Sequence, residues 1–330
     1  MASSDSEPLT IWVVSDGRAG IEVQPLGLAE AIARRRPARI ILKRIGWKGA
    51  IGRLPWGLIP FPRALLRSPA EIAPPWPDLW IAAGRATLPL STRMRAWSAG
   101  AAFVVQTQDP QTPPRAFDLV IPPRHDQLEG ANVFPITGSP NRVTPGRLSD
   151  DLARFASLIA PLPHPRVAVL VGGKSRAFDL STTRAAAIAD QVAGAVEAAG
   201  GSIMLTYSRR TPADAKETMT ARLRDVPGTI WDGAGENPYF AFLAGADVLL
   251  ATEDSVNIAT EAASTGKPLY ILAMEGGSPK FARFHRDLED QGISRRFNGD
   301  LETWSYPPLA ETDRAADEIL RRLDAHRATP

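Results

Sequence analysis

The chain contains no cysteine. Disulfides, thiolate nucleophiles, Cys-ligated zinc and iron–sulfur clusters are therefore excluded. Histidine is scarce: His125, His164, His285 and His326 are the whole set, and none stands in an HxH or HExxH spacing. A His-built metal site is not expected. No apolar run approaches the ~18 residues of a membrane-spanning helix. The first eight residues, MASSDSEP, are polar and acidic, the reverse of a secretory or Arg-rich transit leader. These absences lead to the expectation of a cytoplasmic protein, with peripheral attachment to the cytosolic face of a membrane as its one route to lipid. Zinc-finger, RNP-type and basic-zipper patterns are also missing, so nucleic acid is not an expected partner.

What is present is ordinary globular material: 330 residues, 44% hydrophobic and 22% charged, enough for two domains at ~150 residues each. Charge is unevenly divided. Residues 1–150 hold 18 Lys+Arg against 12 Asp+Glu, and residues 151–330 hold 20 against 24. Within 31–70 there are ten cations (Arg34, Arg35, Arg36, Arg39, Lys43, Arg44, Lys48, Arg53, Arg63, Arg67) and no acid. Halves of opposite sign suggest different partners.

Apolar runs alternate with helical patterns along the whole chain. Expected strands cover 10–14, 39–44, 78–82, 102–106, 117–121 and 133–135, and then 166–171, 202–207, 229–231, 247–251 and 268–272. Helical periodicity falls at about 25–36, between 84 and 100, and at 182–199, 213–224, 238–244, 256–264, 280–290 and 313–325. Such alternation predicts an α/β protein with parallel sheets. The pattern restarts near residue 166, after a Pro-rich, polar stretch between 140 and 165. We therefore expect two Rossmann-like domains, 1–150 and 151–330, with a cleft between them.

Five loops follow the carboxyl ends of expected strands: Ser15–Gly20, Ala83–Arg85, Gly172–Ser175, Ser208–Thr211 and Thr252–Ser255. In open α/β sheets ligands bind there, and the next helix start offers backbone N–H groups to an anion. The segment from Ala251 to Pro268 is the most specific. Ser255 begins a helix and can hold a diphosphate, and Glu261, nearly two turns on, can accept both hydroxyls of a ribose. The alternative is that Asp254 or Ser255 merely caps the helix and Glu261 is a surface residue.

That segment resembles the donor half of GT-B glycosyltransferases. Val169–Ser175, Gly84 with Val105–Asp109, and Gly138–Arg142 resemble landmarks of the enzyme that adds N-acetylglucosamine to lipid-linked peptidoglycan precursor. A closer resemblance covers nearly the whole chain. Ser15–Gly20 with Gln24 and Gly27–Ala31, Val171–Lys174, Ser208–Thr211, Thr252–Ser255, Lys280-Phe281 and Phe284-His285 are similar to the elongated-mitochondria family, named for a plant mitochondrial-fission factor and rich in bacterial members. The resemblance implies a GT-B-type fold and, for bacterial members, a nucleotide-sugar glycosyltransferase. Members often carry Gly-His-x-Asn-Gln after the first loop. Here the sequence is Gly20-Ile-Glu-Val-Gln24, so a His-based proton transfer does not carry over.

Carried over position by position, the resemblance puts Gly172, Gly173, Lys174 and Ser175 at the diphosphate, with Ser208 and Arg209 beside them. Lys174 would neutralise the leaving nucleotide, with Arg209 a second cation. Asp254, Ser255 and Asn257 would lie at the diphosphate and sugar, Glu261 at the ribose, and Lys280 within reach of the transferred sugar. The acceptor-side loop would comprise Gly17, Arg18, Gly20, Gln24 and Gly84. For the base that deprotonates an acceptor alcohol, Asp16 is the first choice, Glu22 the second and Asp109 the third. Asp16 could instead order the glycine loop as an Asx turn. No Asp-x-Asp motif of the GT-A kind is present, so neither a metal nor a cofactor is expected, the nucleotide sugar being a substrate.

Residues 47–67 mix Trp, Leu, Ile and Phe with cations. That composition suits an anionic membrane interface and a lipid-linked or other envelope-glycan acceptor. The competing reading packs the apolar residues under the sheet. The function expected is transfer of a sugar from a nucleotide sugar to such an acceptor. The alternatives are an epimerase or hydrolase on the same fold, and a non-catalytic membrane-associated adaptor.

Overall fold

The computed structural model describes residues 7–328. The N-terminal stretch on which the leader expectation rests lies largely outside them. The chain divides into two compact units, residues 1–142 with 310–330, and residues 143–309.

The first unit opens with β1 (Leu9–Ser15), α1 (Ala19–Ala33) and β2 (Ala38–Arg44), followed by a long excursion of short turns from 45 to 78. Then come β3 (Leu79–Ala83), α2 (Leu88–Trp97), β4 (Phe103–Thr107) and β5 (Leu119–Ile121). The strands pair in parallel in the order β2-β1-β3-β4-β5. Every residue of β3, β4 and β5 is buried, as expected of a parallel sheet covered on both faces. Residues 133–135, expected as a strand, supply only an isolated bridge between Val133 and Val120.

Helix α1 begins six residues before the expected start at Pro25. The Asp16 carboxylate accepts the Arg18 N–H at 3.2 Å, and Gly17 sits at φ +78°, a turn that a side chain would strain. The glycine loop is thus a tight turn, and Gly20 is already helical. Gly27 lets α1 approach the 138–142 segment, since a Cβ there would lie 2.2 Å from the Asn141 carbonyl oxygen.

In the second unit, the Pro-rich, polar stretch before residue 166 folds into α3 (Pro145–Arg154) and the single turn α4 (Ala156–Ile159). The start of α3 is specified locally. Thr144 caps it by accepting the Arg147 N–H, and Pro145 occupies the first turn, where a missing N–H costs nothing. The chain continues through β6 (Arg166–Val171), β7 (Phe178–Asp179), α5 (Thr182–Ala198), β8 (Ser202–Tyr207), α6 (Ala213–Leu223) and β9 (Gly228–Ile230). After these follow α7 (Tyr239–Gly245), β10 (Val248–Thr252), α8 (Val256–Ala263), β11 (Leu269–Leu272), β12 (Glu275–Gly276), α9 (Pro279–Asp290) and β13 (Ser294–Arg296). The main sheet runs β13-β11-β10-β6-β8-β9, and β12 pairs with β7 separately. Read from β9, this is the doubly wound order 3-2-1-4-5-6 of dinucleotide-binding sheets, and the strand order reverses between β6 and β10.

The final helix, α10 (Glu311–Ala328), belongs to the first unit. The expected division, 1–150 and 151–330, is corrected on both counts: the break falls after Arg142, and 310–330 leave the second domain. The physical reason is an apolar stripe, Ala315, Ala316, Ile319 and Leu323, which is fully buried in the core of the first unit, against α1 and β4. Arg34, Arg35 and Arg36 of the basic run then pair with Asp313, Asp317 and Asp324. Among the described residues, no helix is long and apolar enough to cross a membrane.

Candidate functional site

In the second unit, the switch point between β6 and β10 gathers three expected loops. Strand β6 is followed by Gly172-Gly173, and β10 ends in Thr252, followed by Glu253, Asp254 and Ser255. Asp254, only 3% exposed, ties them together. Its carboxylate accepts the Gly173 N–H at 2.9 Å, the Thr252 hydroxyl at 2.7 Å and the Arg210 guanidinium at 2.8 Å. Thr252 also accepts the Gly172 N–H at 2.7 Å. Both glycines are required by closeness. A Cβ at Gly172 would sit 2.0 Å from an Asp254 carboxylate oxygen, and one at Gly173 would sit 2.2 Å from the Arg210 carbonyl oxygen.

The loop after β8 joins the same cluster. The Ser208 hydroxyl donates to the Gly172 carbonyl at 2.8 Å, and Thr211 donates to that carbonyl as well. Arg210 carries the ion pair to Asp254, whereas Arg209, chosen from the sequence, is exposed. Lys174 is also exposed and pairs with Asp179 at 2.6 Å, which raises its pKa further. Ser175 is turned to local use, accepting the Ala177 and Phe178 N–H groups.

Ser255 caps α8, accepting the Ile258 N–H at 3.3 Å, with Asn257 in the first turn. Glu261 is buried rather than a surface residue, and it accepts a 2.5 Å hydrogen bond from the Tyr239 hydroxyl. Burial pushes that phenol well above its usual pKa, and the Glu261 charge adds to the effect. Lys280 lies in the first turn of α9, capped by Ser278. The loops named from the sequence, Ser208–Thr211 and Thr252–Ser255, contain Arg210, Thr211 and Thr252 without singling out these side chains, and Tyr239 carries no sequence signal; one Arg cannot be told from its neighbour without the fold.

In the first unit, loops after β1, β3 and β4 converge at the carboxyl edge of the sheet. Ser15 donates to Glu22 at 2.8 Å, and Arg44 grips the same carboxylate with two bonds of 2.8 and 2.9 Å. The Arg44 guanidinium holds Glu22 below the usual carboxylate range, which makes it a weak base. Asp16 forms the Asx turn and binds the Arg18 guanidinium at 2.7 Å. Gln24 accepts from Gln108 at 3.1 Å, and Gly84, at φ +81°, lies against Ile21. Asp109, with Gly84, Arg85, Leu88, Trp56 and the polar run Gln106–Gln111, lines a cavity of about 260 Å3. Among the described residues no group of three or more His, Asp or Glu is arranged to hold a metal ion.

The segment 47–67 divides between the two readings offered for it. Trp47 and Ile59 are buried, and the Trp47 indole donates to the Ala86 carbonyl. Leu54, Leu58 and Phe61 are exposed, Leu58 at 67% and Phe61 at 74%. Lys48 and Arg67 donate to carbonyls of Ala64 and Trp47, and Arg63 lies over Trp76 and Trp97. The side chain of Arg53 lies outside the described residues.

The sequence profile of a family described as Mitochondrial fission ELM1 matches residues 19–323, nearly the whole of both units. The chain belongs to that family. The Mitochondrial fission protein ELM1 of Arabidopsis thaliana is 33% identical over 276 residues, which cover 76% of this chain. This chain spans 64% of the length of that relative. The Uncharacterized protein RP120 of Rickettsia prowazekii is 27% identical over 97% of this chain and 100% of its own length. Among solved structures, the UDP-GlcNAc 2-epimerase of Methanocaldococcus jannaschii, in complex with UDP-GlcNAc and UDP, matches with a TM-score of 0.55. It is 13% identical and covers 96% of this chain and 99% of its own. Os79 from O. sativa, in complex with U2F and trichothecene, matches at 0.52 and 12% identity, over 96% and 93% of the two chains. The family member described here therefore has the GT-B-type fold of glycosyltransferases and UDP-GlcNAc epimerases, built from two Rossmann-like units.

Proposed function

We propose that this protein is a glycosyltransferase that takes its sugar from a nucleotide sugar bound in the unit formed by residues 143–309. The observation that carries the reading is the convergence of Gly172-Gly173, Thr252–Ser255 and Arg210 at the strand-order reversal. Backbone without side chains, a capped helix start and a guanidinium are the parts a diphosphate needs. In this reading Asp254 shapes the cradle, and Ser255 and Asn257 bind the phosphates and sugar. Glu261 accepts the ribose hydroxyls, its carboxylate steadied by Tyr239. Arg210, Lys174 and Arg209 meet the charge that develops on the leaving nucleotide, and Lys280 reaches the transferred sugar. Catalysis then proceeds without a cofactor or a metal.

The acceptor side belongs to the first unit, and the acceptor is a lipid-linked or envelope glycan. The exposed apolar residues Leu54, Leu58 and Phe61, next to Lys48, Arg63 and Arg67, suit an anionic membrane surface on the cytosolic side. For the base, the Arg44 guanidinium that holds the Glu22 carboxylate below its usual range counts against Glu22, and Asp16 and Asp109 are the candidates kept.

A thermal-shift screen across nucleotide sugars tests the donor site, because a ligand at 100 times its dissociation constant adds about 2.7 kcal/mol. Absence of any stabilising nucleotide sugar would overturn the reading. With the binder identified, radiolabelled transfer to a membrane-lipid or glycan extract tests the transferase. Turnover that needs no acceptor would replace it with an epimerase or hydrolase. Asp16→Asn and Asp109→Asn then identify the base, whose loss is expected to cut turnover ~10²-fold or more with donor affinity retained.

A further inference from the structure

The cavity at the ends of β3 and β4 contains a polar atom that the fold leaves without a partner. Gln106 is 1% exposed and lines this cavity. Its amide nitrogen donates to the Thr107 carbonyl at 3.3 Å, whereas its Oε1 accepts no hydrogen bond. A buried amide oxygen without a donor costs the fold its desolvation energy, and an O–H or N–H brought by a ligand removes that cost.

The surrounding residues narrow the ligand. Gln106, Thr107, Gln108, Asp109 and Gln111 come from one strand end and its loop, and Trp56 supplies an aromatic wall. The loop is held in an unusual shape. Gln108 and Gln111 have φ of +66° and +51°, a region that residues other than Gly, Asn and Asp seldom enter. The Asp109 carboxylate fixes the turn by accepting the Gln111 N–H at 2.7 Å. Amides and a carboxylate bond to alcohols, and an indole packs on the apolar face of a ring. The volume, about 260 Å3, lies just under the ~300 Å3 at which pockets for drug-sized ligands begin, which suits one ring. Arg85 lines the same cavity and is exposed.

We infer that this cavity binds a single saccharide ring, one hydroxyl donating to Gln106 Oε1, with a phosphate or carboxylate on the ring met by Arg85. The inference rests on the first unit being the acceptor side, and it specifies the acceptor as an anionic glycosyl unit.

The test uses the full chain without any nucleotide sugar, so its outcome is independent of the donor site. Side-chain amide resonances of Gln106, assigned with Gln106→Met, are followed by NMR. Probes are glucose, galactose, mannose and N-acetylglucosamine, their 6-phosphates, glucuronate, and inorganic phosphate. At least one sugar is expected to shift the Gln106 amide, and its phosphate or uronate form is expected to bind about 10-fold more tightly. Arg85→Gln should abolish that preference while leaving the affinity for the neutral sugar unchanged. Gln106→Met should bind the sugar about 10-fold or more weakly while keeping the wild-type backbone spectrum. Failure of every sugar to move Gln106 would overturn the inference. So would an equal response to inorganic phosphate, which would reduce the site to an anion contact. Neither result would bear on nucleotide-sugar binding by residues 143–309.

Discussion

Replacing Asp254 with Asn keeps the side chain's size and removes its charge, which makes it the sharpest probe of the proposed donor cradle. Three donors converge on this carboxylate: the Gly173 N–H, the Thr252 hydroxyl and Arg210. Hydrogen bonds to a charged group contribute ~1.5–3 kcal/mol each, and removing one partner of a buried ion pair costs ~3–5 kcal/mol. Arg210 is not fully buried, however. Its side chain is 44% exposed against 0% for Asp254, so water takes up the guanidinium once its partner is gone. The loss is then concentrated at Gly173, whose N–H meets either a neutral oxygen or an amide NH2. We expect Asp254→Asn to destabilise by about 2–3 kcal/mol. Arg210→Ala, which leaves the carboxylate its two other donors, should cost ~1 kcal/mol or less. Urea unfolding read by Trp231 and Trp304 fluorescence measures both variants, and the double variant measures their coupling. Hydrogen exchange at Gly173 should accelerate in Asp254→Asn alone. Equal costs for the two single variants, or unchanged exchange at Gly173, would refute Asp254 as the organiser of these loops.

Other outcomes follow from the same geometry. Glu261→Ala and Ser255→Ala should each weaken the best nucleotide ligand by roughly 1–3 kcal/mol in calorimetry without unfolding the chain. Tyr239→Phe should weaken it by less, since Glu261 itself remains. His285 is 1% exposed, and burial pushes its pKa below 6.5. The unfolded chain therefore takes up a proton that the folded one resists. This contribution is full above pH 6.5 and is lost as pH falls through the folded pKa. Melting temperature should fall on acidification through that window, and less so in His285→Gln. Cosedimentation with vesicles tests the exposed apolar patch. Binding should need anionic lipid, weaken with salt and be reduced by changing Leu58 and Phe61 to Ser. Equal pelleting with neutral vesicles, or none with either, would remove the membrane from the proposal.

How far the sequence could be read depended on whether the signal was local. The strands 166–171 and 202–207 are as expected because their apolar runs have one purpose, to be buried on both faces of a parallel sheet. The start of α3 is also written locally, as Thr144-Pro145, and Leu148, Leu152 and Phe155 follow at helical spacing and pack on the core of the second unit; the Pro-rich surroundings masked that signal. The end of the first unit was not legible at all. Nothing within 311–328 says which sheet its apolar stripe covers. The tripeptide Arg34–Arg36 read as basic surface because its acids lie some 280 residues away in sequence. The site shows the same limit. The glycines and the TEDS turn could be located from their positions after strands, but the choice of Arg210 over Arg209 depends on which side chain reaches Asp254. The unsatisfied oxygen of Gln106 exists only once the strand is buried.

The assignment of α10 to the first unit has a consequence for how the protein is made. Residues 143–309 are contiguous and carry two hydrophobic core clusters of their own, so these cores need nothing synthesised after residue 309. The part of the first unit that precedes residue 143 cannot complete its core before Ala315, Ala316, Ile319 and Leu323 are synthesised. The usual order, with the N-terminal domain folding first, is inverted. During that interval the apolar side of α1 is bare and Arg34, Arg35 and Arg36 lack their aspartates. A nascent chain stalled before residue 311 presents a finished second domain attached to an unfinished, basic and adhesive first one.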